Sequence, residues 1–367
     1  MWRRLLAAVV AGTVVASVSA LPRDGGAWTP ANSASNPHLR FEVAFNETTK
    51  RPYLLWLQRP HRMAEEGVRR VMRGKKLVMM GDSLTRYQYL NLVYLLEHGK
   101  WPEPDSGMCN ERAFRPWPKF FQSTNALLRG REICDCYRRM ASVFENRRYH
   151  NPELNTTVWM GHWFGNRSFP HGHVRIMDPH PGNYDEDDGR LPCMPNNCSS
   201  TDDAWMLSPA QFLEQFVTNH RPDAFVFNSG HHTLYDAQSM STSSVPKELH
   251  QTLLRMRRAQ PDLPTRLVWK TTTPMYRDRT LMFKHDGFAA QLEAEGLIEL
   301  FNTTAVVKPL DDVVVQRFAK KRPALTWDTK HFHCWVHQEL NLAMVRQLFG
   351  RRQRWQSARS GKWVLSV

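Results

Sequence analysis

Short apolar runs alternate along this chain with longer segments whose apolar positions recur at helical spacing. Runs of the first kind read as buried strands, and the second kind as helices packed on them. A lead-in from Arg40 to Arg73 ends in a helix over Met63–Met72, followed by a strand over Lys76–Met80 and a helix over Leu84–His98. Strands over Thr157–Trp163 and Val174–Met177 come next, then a polar, acidic loop from Pro179 to Asp203. Ser208 and Pro209 open the cleanest helix, with Ser as N-cap, Pro at the first helical position, and Phe212, Phe216 and Val217 on one face. A strand over Ala224–Phe227, a helix over Pro246–Gln260 and a strand over Arg266–Thr271 continue the alternation. After them come a helix over Phe288–Glu295, a strand over Leu297–Phe301 and a last helix over Val336–Phe349 that stops at Gly350. Strands alternating with helices imply an α/β domain with a mostly parallel sheet covered on both faces. Gly99 to Asn151 breaks the pattern: it is rich in Pro, aromatics and Cys and reads as a disulfide-pinned insertion.

The candidate chemistry sits at strand ends. The run Leu77-Val78-Met79-Met80 leads into Gly81-Asp82-Ser83, and a helix begins at once. Gly81 tolerates a sharp strand-to-helix turn, which places the Ser83 hydroxyl at the carboxyl end of a sheet strand, where open α/β sheets keep their ligands. The N–H groups of the new helix then face whatever Ser83 attacks. Far downstream, Trp327-Asp328-Thr329-Lys330-His331 sets an acid three residues before an imidazole. In a helical or tight-loop conformation both side chains share a face, so Asp328 can orient His331 while the other ring nitrogen takes a proton from a serine. Between these motifs, Ala224-Phe225-Val226-Phe227-Asn228 is another apolar strand ending in a polar elbow, from which Asn228 can offer an amide donor to an oxyanion.

With these residues the chain resembles the SGNH/GDSL hydrolase superfamily, and within it the PC-esterase group that includes the trichome-birefringence-like polysaccharide O-acetyltransferases. The matching residues are Gly81-Asp82-Ser83-Leu84 with Arg86 and Gln88, Phe227-Asn228-Ser229-Gly230-His231, and Asp328-Thr329-Lys330-His331. The strand Val268-Trp269-Lys270-Thr271-Thr272-Thr273-Pro274 is similar to the segment that precedes the last block in that group. The resemblance implies a flavodoxin-like SGNH hydrolase fold. It also implies Ser83 as nucleophile, His331 as base, Asp328 as its orienter, and the Ser83 amide with Asn228 as oxyanion donors. Gly161 is the best match to a further oxyanion glycine, with a strand bulge as the other reading. Asp82, Arg86, His231 and Trp327 are expected to line the substrate cleft. The cysteine-rich amino-terminal region of the plant enzymes and the Pro-Gly stretch after their Asp-x-x-His are missing here, so the plant-type acceptor does not carry over.

Met1-Trp2-Arg3-Arg4 precedes an uncharged run from Leu5 to Ala20 that closes on Val18-Ser19-Ala20, as a secretory signal does. An uncleaved type II anchor is the alternative, and only it would bring a membrane into play. The expected organisation is a signal peptide or anchor over residues 1–20, a stem and lead-in over 21–70, a catalytic domain over 71–350 and a basic tail over 351–367. Sequons at Asn46, Asn155, Asn166, Asn197 and Asn302 agree with entry to the Golgi lumen or export. The even set Cys109, Cys134, Cys136, Cys193, Cys198 and Cys334 suggests disulfides that pin the insertion and brace the segment after His331. Cys134 and Cys136 look too close to bridge each other, so each is expected to reach elsewhere. The formal net charge of +14 suits anionic partners such as acidic glycans, and the secretory route argues against nucleic acid. His171, His173, His231, His232, His331 and His333 lack the spaced carboxylates or cysteines of a metal site, so no metal is expected. The function these features suggest is transfer of an acetyl group from acetyl-CoA or another acetylated donor to a glycan or polysaccharide hydroxyl, with no bound cofactor. Acetylesterase action with the same residues is the alternative, and a non-catalytic glycan-binding protein is the alternative from another class.

Overall fold

The computed structural model describes residues 40–46, 51–58, 65–103, 106–109, 116–139, 142–163, 208–228, 245–273, 283–308, 310, 325–326, 331–350, 355–357 and 363–365. In chain order the elements begin with β1 (Arg40–Asn46), β2 (Arg51–Gln58), α1 (Glu65–Met72), β3 (Lys76–Gly81) and α2 (Ser83–His98). They continue with α3 (Trp117–Leu127), β4 (Glu132–Arg139), β5 (Ser142–Asn151), β6 (Thr156–His162), α4 (Pro209–His220) and β7 (Ala224–Phe227). The remainder are α5 (Val245–Ala259), β8 (Arg266–Lys270), α6 (Phe283–Ala294), β9 (Glu299–Phe301), α7 (Cys334–Phe349), β10 (Trp355–Ser357) and β11 (Trp363–Leu365).

Seven strands form one sheet in the order β4-β5-β6-β3-β7-β8-β9. The five from β6 to β9 pair in parallel, and β4 and β5 extend the β6 edge antiparallel. Numbered among themselves in chain order, the parallel strands run second, first, third, fourth, fifth, which is the flavodoxin-like order. The order reverses at β3, so the crevice at its carboxyl end is where such a sheet opens to a ligand. β1 and β2 form an antiparallel hairpin and β10 and β11 a second antiparallel pair.

β3 is apolar at successive positions because helices cover both of its faces. Leu77 and Met79 join a core with Leu90 and Val93 of α2 and Leu340 and Met344 of α7. Val78 and Met80 point the other way, to Phe212 and Phe216 of α4, Leu253 of α5 and Leu292 of α6. Each such side chain fully withdrawn from water contributes about 1.5–3 kcal/mol. α4 starts as its sequence indicates: Ser208 Oγ accepts from Gln211 N at 3.1 Å while Gln211 Oε1 accepts from Ser208 N at 2.8 Å. α2 ends on Gly99 in the left-handed region at φ 72°, where its N–H returns to the Leu95 carbonyl at 2.8 Å.

The expected irregular insertion contains regular structure, α3, β4 and β5. Beside apolar Phe120, Leu128 and Tyr149, its interior holds an ionic cluster. Arg147, fully buried, donates to Glu132 at 2.6 Å and to Glu145 at 2.8 Å. Arg86 of α2 reaches the same Glu145 at 3.0 Å, and the Tyr89 hydroxyl donates to Glu132 at 3.0 Å. Paired and hydrogen-bonded in this way, the buried charges fasten the antiparallel wing to α2.

Two disulfides are present among the described residues. Cys109 joins Cys334 across 225 residues and braces the start of α7, as expected of a bond pinning the insertion to the segment after His331. Cys134 and Cys136 bridge each other, which corrects the expectation that each reaches elsewhere. Two apart on a strand, their side chains share a face, and their Cα atoms are 5.2 Å apart, inside the roughly 4.4–6.8 Å that disulfides span. Among the sequon residues, Asn155 and Asn302 are exposed and Asn46 ends β1. The signal segment, the strand expected at Val174–Met177, Cys193, Cys198, Asn166 and Asn197 lie outside the described residues.

Candidate active site

The turn from β3 into α2 is built on a close approach. A Cβ on Gly81 would lie 2.9 Å from Thr85 Cβ, closer still to Thr85 Oγ1, and 3.3 Å from the Asn228 carbonyl oxygen. Only glycine fits there. Asp82 then caps α2, its carboxylate accepting from Leu84 N at 3.0 Å, and Ser83 is the first residue of the helix. The Ser83 side chain therefore stands at a helix N-terminus, where unpaired N–H groups and the helix dipole favour negative charge.

His331 comes to it from the other end of the domain. Its Nε2 lies 2.8 Å from Ser83 Oγ, at a sequence separation of 248. Two contacts hold the segment that carries it. Thr326 and Phe332 form an antiparallel bridge, and His333 N donates to the Leu325 carbonyl at 2.9 Å. α7 begins directly afterwards at Cys334, which the disulfide to Cys109 fixes. The His331 ring also meets Tyr87 edge-on, with centroids 5.4 Å apart and planes at 84°. Tyr87 is fully buried and lies one helical turn beyond Ser83. A serine hydroxyl within hydrogen-bond reach of an imidazole is the arrangement that proton abstraction requires.

The other expected residues divide. Asn228, 3% exposed, follows β7; its N–H donates to the Met80 carbonyl at 2.9 Å. Its side-chain Nδ2 donates to the Lys270 carbonyl at 2.7 Å and to Thr272 Oγ1 at 3.5 Å. The amide thus ties the ends of β7 and β8 together beside the nucleophile turn.

Gly161 is corrected to a packing role. A Cβ there would lie 3.2 Å from Phe212 Cζ, and the register of β6 on β3 is continuous, with no bulge. The β6–β3 ladder runs from Thr157 N on the Lys75 carbonyl at 3.0 Å to Trp163 N on the Gly81 carbonyl at 2.8 Å. Its period of two takes up the Gly161 N–H as well.

Asp82 and Arg86 are corrected too, since each is only 1% exposed. Asp82 serves as the helix cap. Arg86 is turned inward to Glu145 and lies over the rings of Tyr87, Trp117 and Phe120 at 4.5, 5.2 and 5.5 Å. Asp328, His231 and Trp327 lie outside the described residues.

Sequence reasoning missed Lys270. It ends β8 at 2% exposure, and its ammonium donates to Thr85 Oγ1 at 2.9 Å and Gln88 Oε1 at 3.1 Å. Burial pulls its pKa down to about 8, opposed by the Asp82 carboxylate. The signal was a cation following the apolar run Leu267-Val268-Trp269 at the end of β8.

No protein-family model matches this chain, and no curated protein is similar enough to match it. Among solved structures it is similar to the acetylxylan esterase Axe2 from Geobacillus stearothermophilus, at 15% identity and a TM-score of 0.34 over 76% of this chain and 96% of that one. Two catalytic mutants of the same esterase match over the same shares, at 16% identity with a TM-score of 0.35 and at 15% with 0.34. Likenesses of this identity and score fix neither family nor activity.

Proposed function

We propose that this chain is a serine-nucleophile acyl-transfer enzyme of the SGNH/GDSL type, in its PC-esterase group, which moves acetyl groups onto glycan hydroxyls. The observation that carries the reading is the 2.8 Å contact of Ser83 Oγ with His331 Nε2 at the N-terminus of α2. His331 takes the Ser83 proton as Oγ attacks the acetyl carbonyl. The tetrahedral oxyanion faces the Ser83 N–H at the helix N-terminus, and its other donor is the Asn228 N–H that otherwise makes the long 3.5 Å bond to Thr272 Oγ1. Collapse breaks the bond to the donor's leaving group, which takes the proton from His331 and leaves acetyl-Ser83. A sugar hydroxyl then gives its proton to His331 as its oxygen attacks the acetyl carbonyl; the bond to Ser83 Oγ breaks, Oγ takes the proton back from His331, and the acetylated sugar leaves. Asp328, three residues before His331, orients the ring.

The acetyl donor is acetyl-CoA or another acetylated compound, and the compartment is the Golgi lumen or the exterior. Exposed sequon residues Asn155 and Asn302 and the buried Cys109–Cys334 disulfide support that compartment. Incubation with an acetyl donor should leave an acetyl group on Ser83, detected by peptide mass spectrometry, and a glycan acceptor should discharge it faster than water. Discharge to water alone would make the protein an acetylesterase. Full activity in Ser83→Ala would sink the covalent route.

A further inference from the structure

A cation lies buried behind the nucleophile turn, in contact with α2 and with the residue that ends β7. The Lys270 ammonium is bonded to Thr85 and Gln88, both in the first two turns of the helix that starts at Ser83. Its backbone carbonyl holds the Asn228 amide at the end of β7. Gln88 carries the connection onward to α7. Its Nε2 lies 3.6 Å from Met344 Sδ, and its backbone carbonyl accepts from Asn341 Nδ2 at 2.9 Å. α7 is the helix that follows His331. One polar chain therefore runs from β8 through the first turns of α2 to the helix behind the base.

An ammonium is an expensive way to fill such a space. A methionine would occupy the same volume without the desolvation cost, and apolar replacement of buried charge is often neutral or stabilising. Stability therefore gives no reason for the charge, whereas position does. We propose that Lys270 is a positioning residue for the nucleophile: its buried ammonium locks the first turn of α2 to β8 and α7, so that Ser83 Oγ meets His331 Nε2. The inference rests on the reading of Ser83 as nucleophile. Among the described residues, the titratable groups facing Lys270 are the Asp82 carboxylate from the β3–α2 turn and the His337 ring from α7. His337 is fully buried, and burial, with Lys270 beside it, keeps its pKa well below the ordinary imidazole range. Around pH 8 the charge that changes behind the turn is thus that of Lys270. Its loss withdraws positive potential from behind the Ser83 turn, near which the negative charge of the tetrahedral intermediate develops.

The test measures the rate at which a fluorophosphonate ester modifies Ser83, read by intact mass, with thermal melts alongside. Lys270→Met is expected to fold with a near-normal melt and to lose about 10²-fold in labelling rate, the scale of a small misplacement. The wild-type rate should fall as pH rises through about 8, and Lys270→Met should lack that limb. Gln88→Met, which cuts one link of the same chain, should lose about tenfold and carries the test if Lys270→Met does not fold. A folded Lys270→Met labelled at the wild-type rate overturns the proposal, as does a wild-type rate in Gln88→Met where Lys270→Met is unfolded. A wild-type Ser83 that resists the probe while an acetyl ester is still turned over overturns the nucleophile reading itself, and with it the role of Lys270.

Discussion

Tyr87 presents its ring edge-on to His331, centroids 5.4 Å apart, from the helical position one turn beyond Ser83. The helix that carries the nucleophile therefore also carries a wall for the base. Arg86 packs over the Tyr87 ring at 4.5 Å and is itself held by Glu145. Among the described residues, buried polar and aromatic groups position the site from beneath.

Loss of that wall is expected to misplace the imidazole. Tyr87→Leu keeps an apolar side chain but removes the ring edge, and should cut the rate of Ser83 modification by about 10²-fold. Tyr87→Phe keeps the ring and should stay within a few-fold of wild type. Equal rates in wild type and folded Tyr87→Leu would show that the contact orients nothing.

Within the buried ionic wing Glu145 makes the fold sensitive to acid, whereas burial holds the neighbouring Glu132 carboxyl above its ordinary range. Burial pushes the Glu145 carboxyl up, but Arg86 and Arg147 together outweigh it and hold its pKa at about 2, against 4.5 ordinarily. A carboxyl depressed by folding stabilises the native state above its unfolded pKa. That contribution is lost as pH falls from 4.5 toward 2. The shift corresponds to about 3 kcal/mol. Urea titrations at stepped pH should show wild-type stability falling through that window, and Glu145→Gln should lack this part of the slope. At neutral pH Glu145→Gln should cost about 3–5 kcal/mol, since it leaves two buried guanidinium groups short of a partner.

The two disulfides should behave differently. Cys109 and Cys334 are each 1% exposed and close a span of 225 residues. In the chain-entropy account such a bond contributes about 5 kcal/mol, whereas one closing two residues contributes less than about 2 kcal/mol. Graded thiol treatment followed by alkylation and peptide mapping should open Cys134–Cys136 first, with little change in the melt. Cys109 and Cys334 should become alkylated only with unfolding. The reverse order would contradict both the burial and the span.

The strands that read clearly in the sequence are those covered on both faces. β3 and β7 are apolar at consecutive positions because the residues alternate between two separate cores, as Leu77 and Val78 do. β4 and β5 escaped notice for the opposite reason. Their inward positions hold Glu132, Glu145 and Arg147, whose charges are satisfied by one another, so the strand period had no hydrophobic signature. The nucleophile turn was legible because Gly81 admits no side chain there. Arg86 was misjudged as a cleft residue because an arginine beside a reactive serine suggests a substrate contact. Its actual partner, Glu145, is 59 residues away and had no local mark. Cys134 and Cys136 were misjudged because spacing alone does not show how a strand bends to bring two Cα atoms within bridging distance.

Asn228 separates a structural from a catalytic use of one amide. Its bond to the Lys270 carbonyl at 2.7 Å ties β7 to β8 whatever the chemistry. Removing it strands a buried carbonyl, at a cost of about 1–3 kcal/mol. An N–H aimed at an oxyanion acts mainly in the transition state, and its loss costs on the order of 10²–10³ in kcat. Asn228→Ala is therefore expected to lower the melting temperature and also to reduce kcat per folded molecule on 4-nitrophenyl acetate by about 10²-fold or more, with KM little changed. The folded fraction is obtained from the melt at the assay temperature, so the two losses are separable. A lowered melt with normal kcat in the folded fraction would leave Asn228 as a strand tie and remove it from the reaction. The Ser83 N–H at the start of α2 would then face the oxyanion without it.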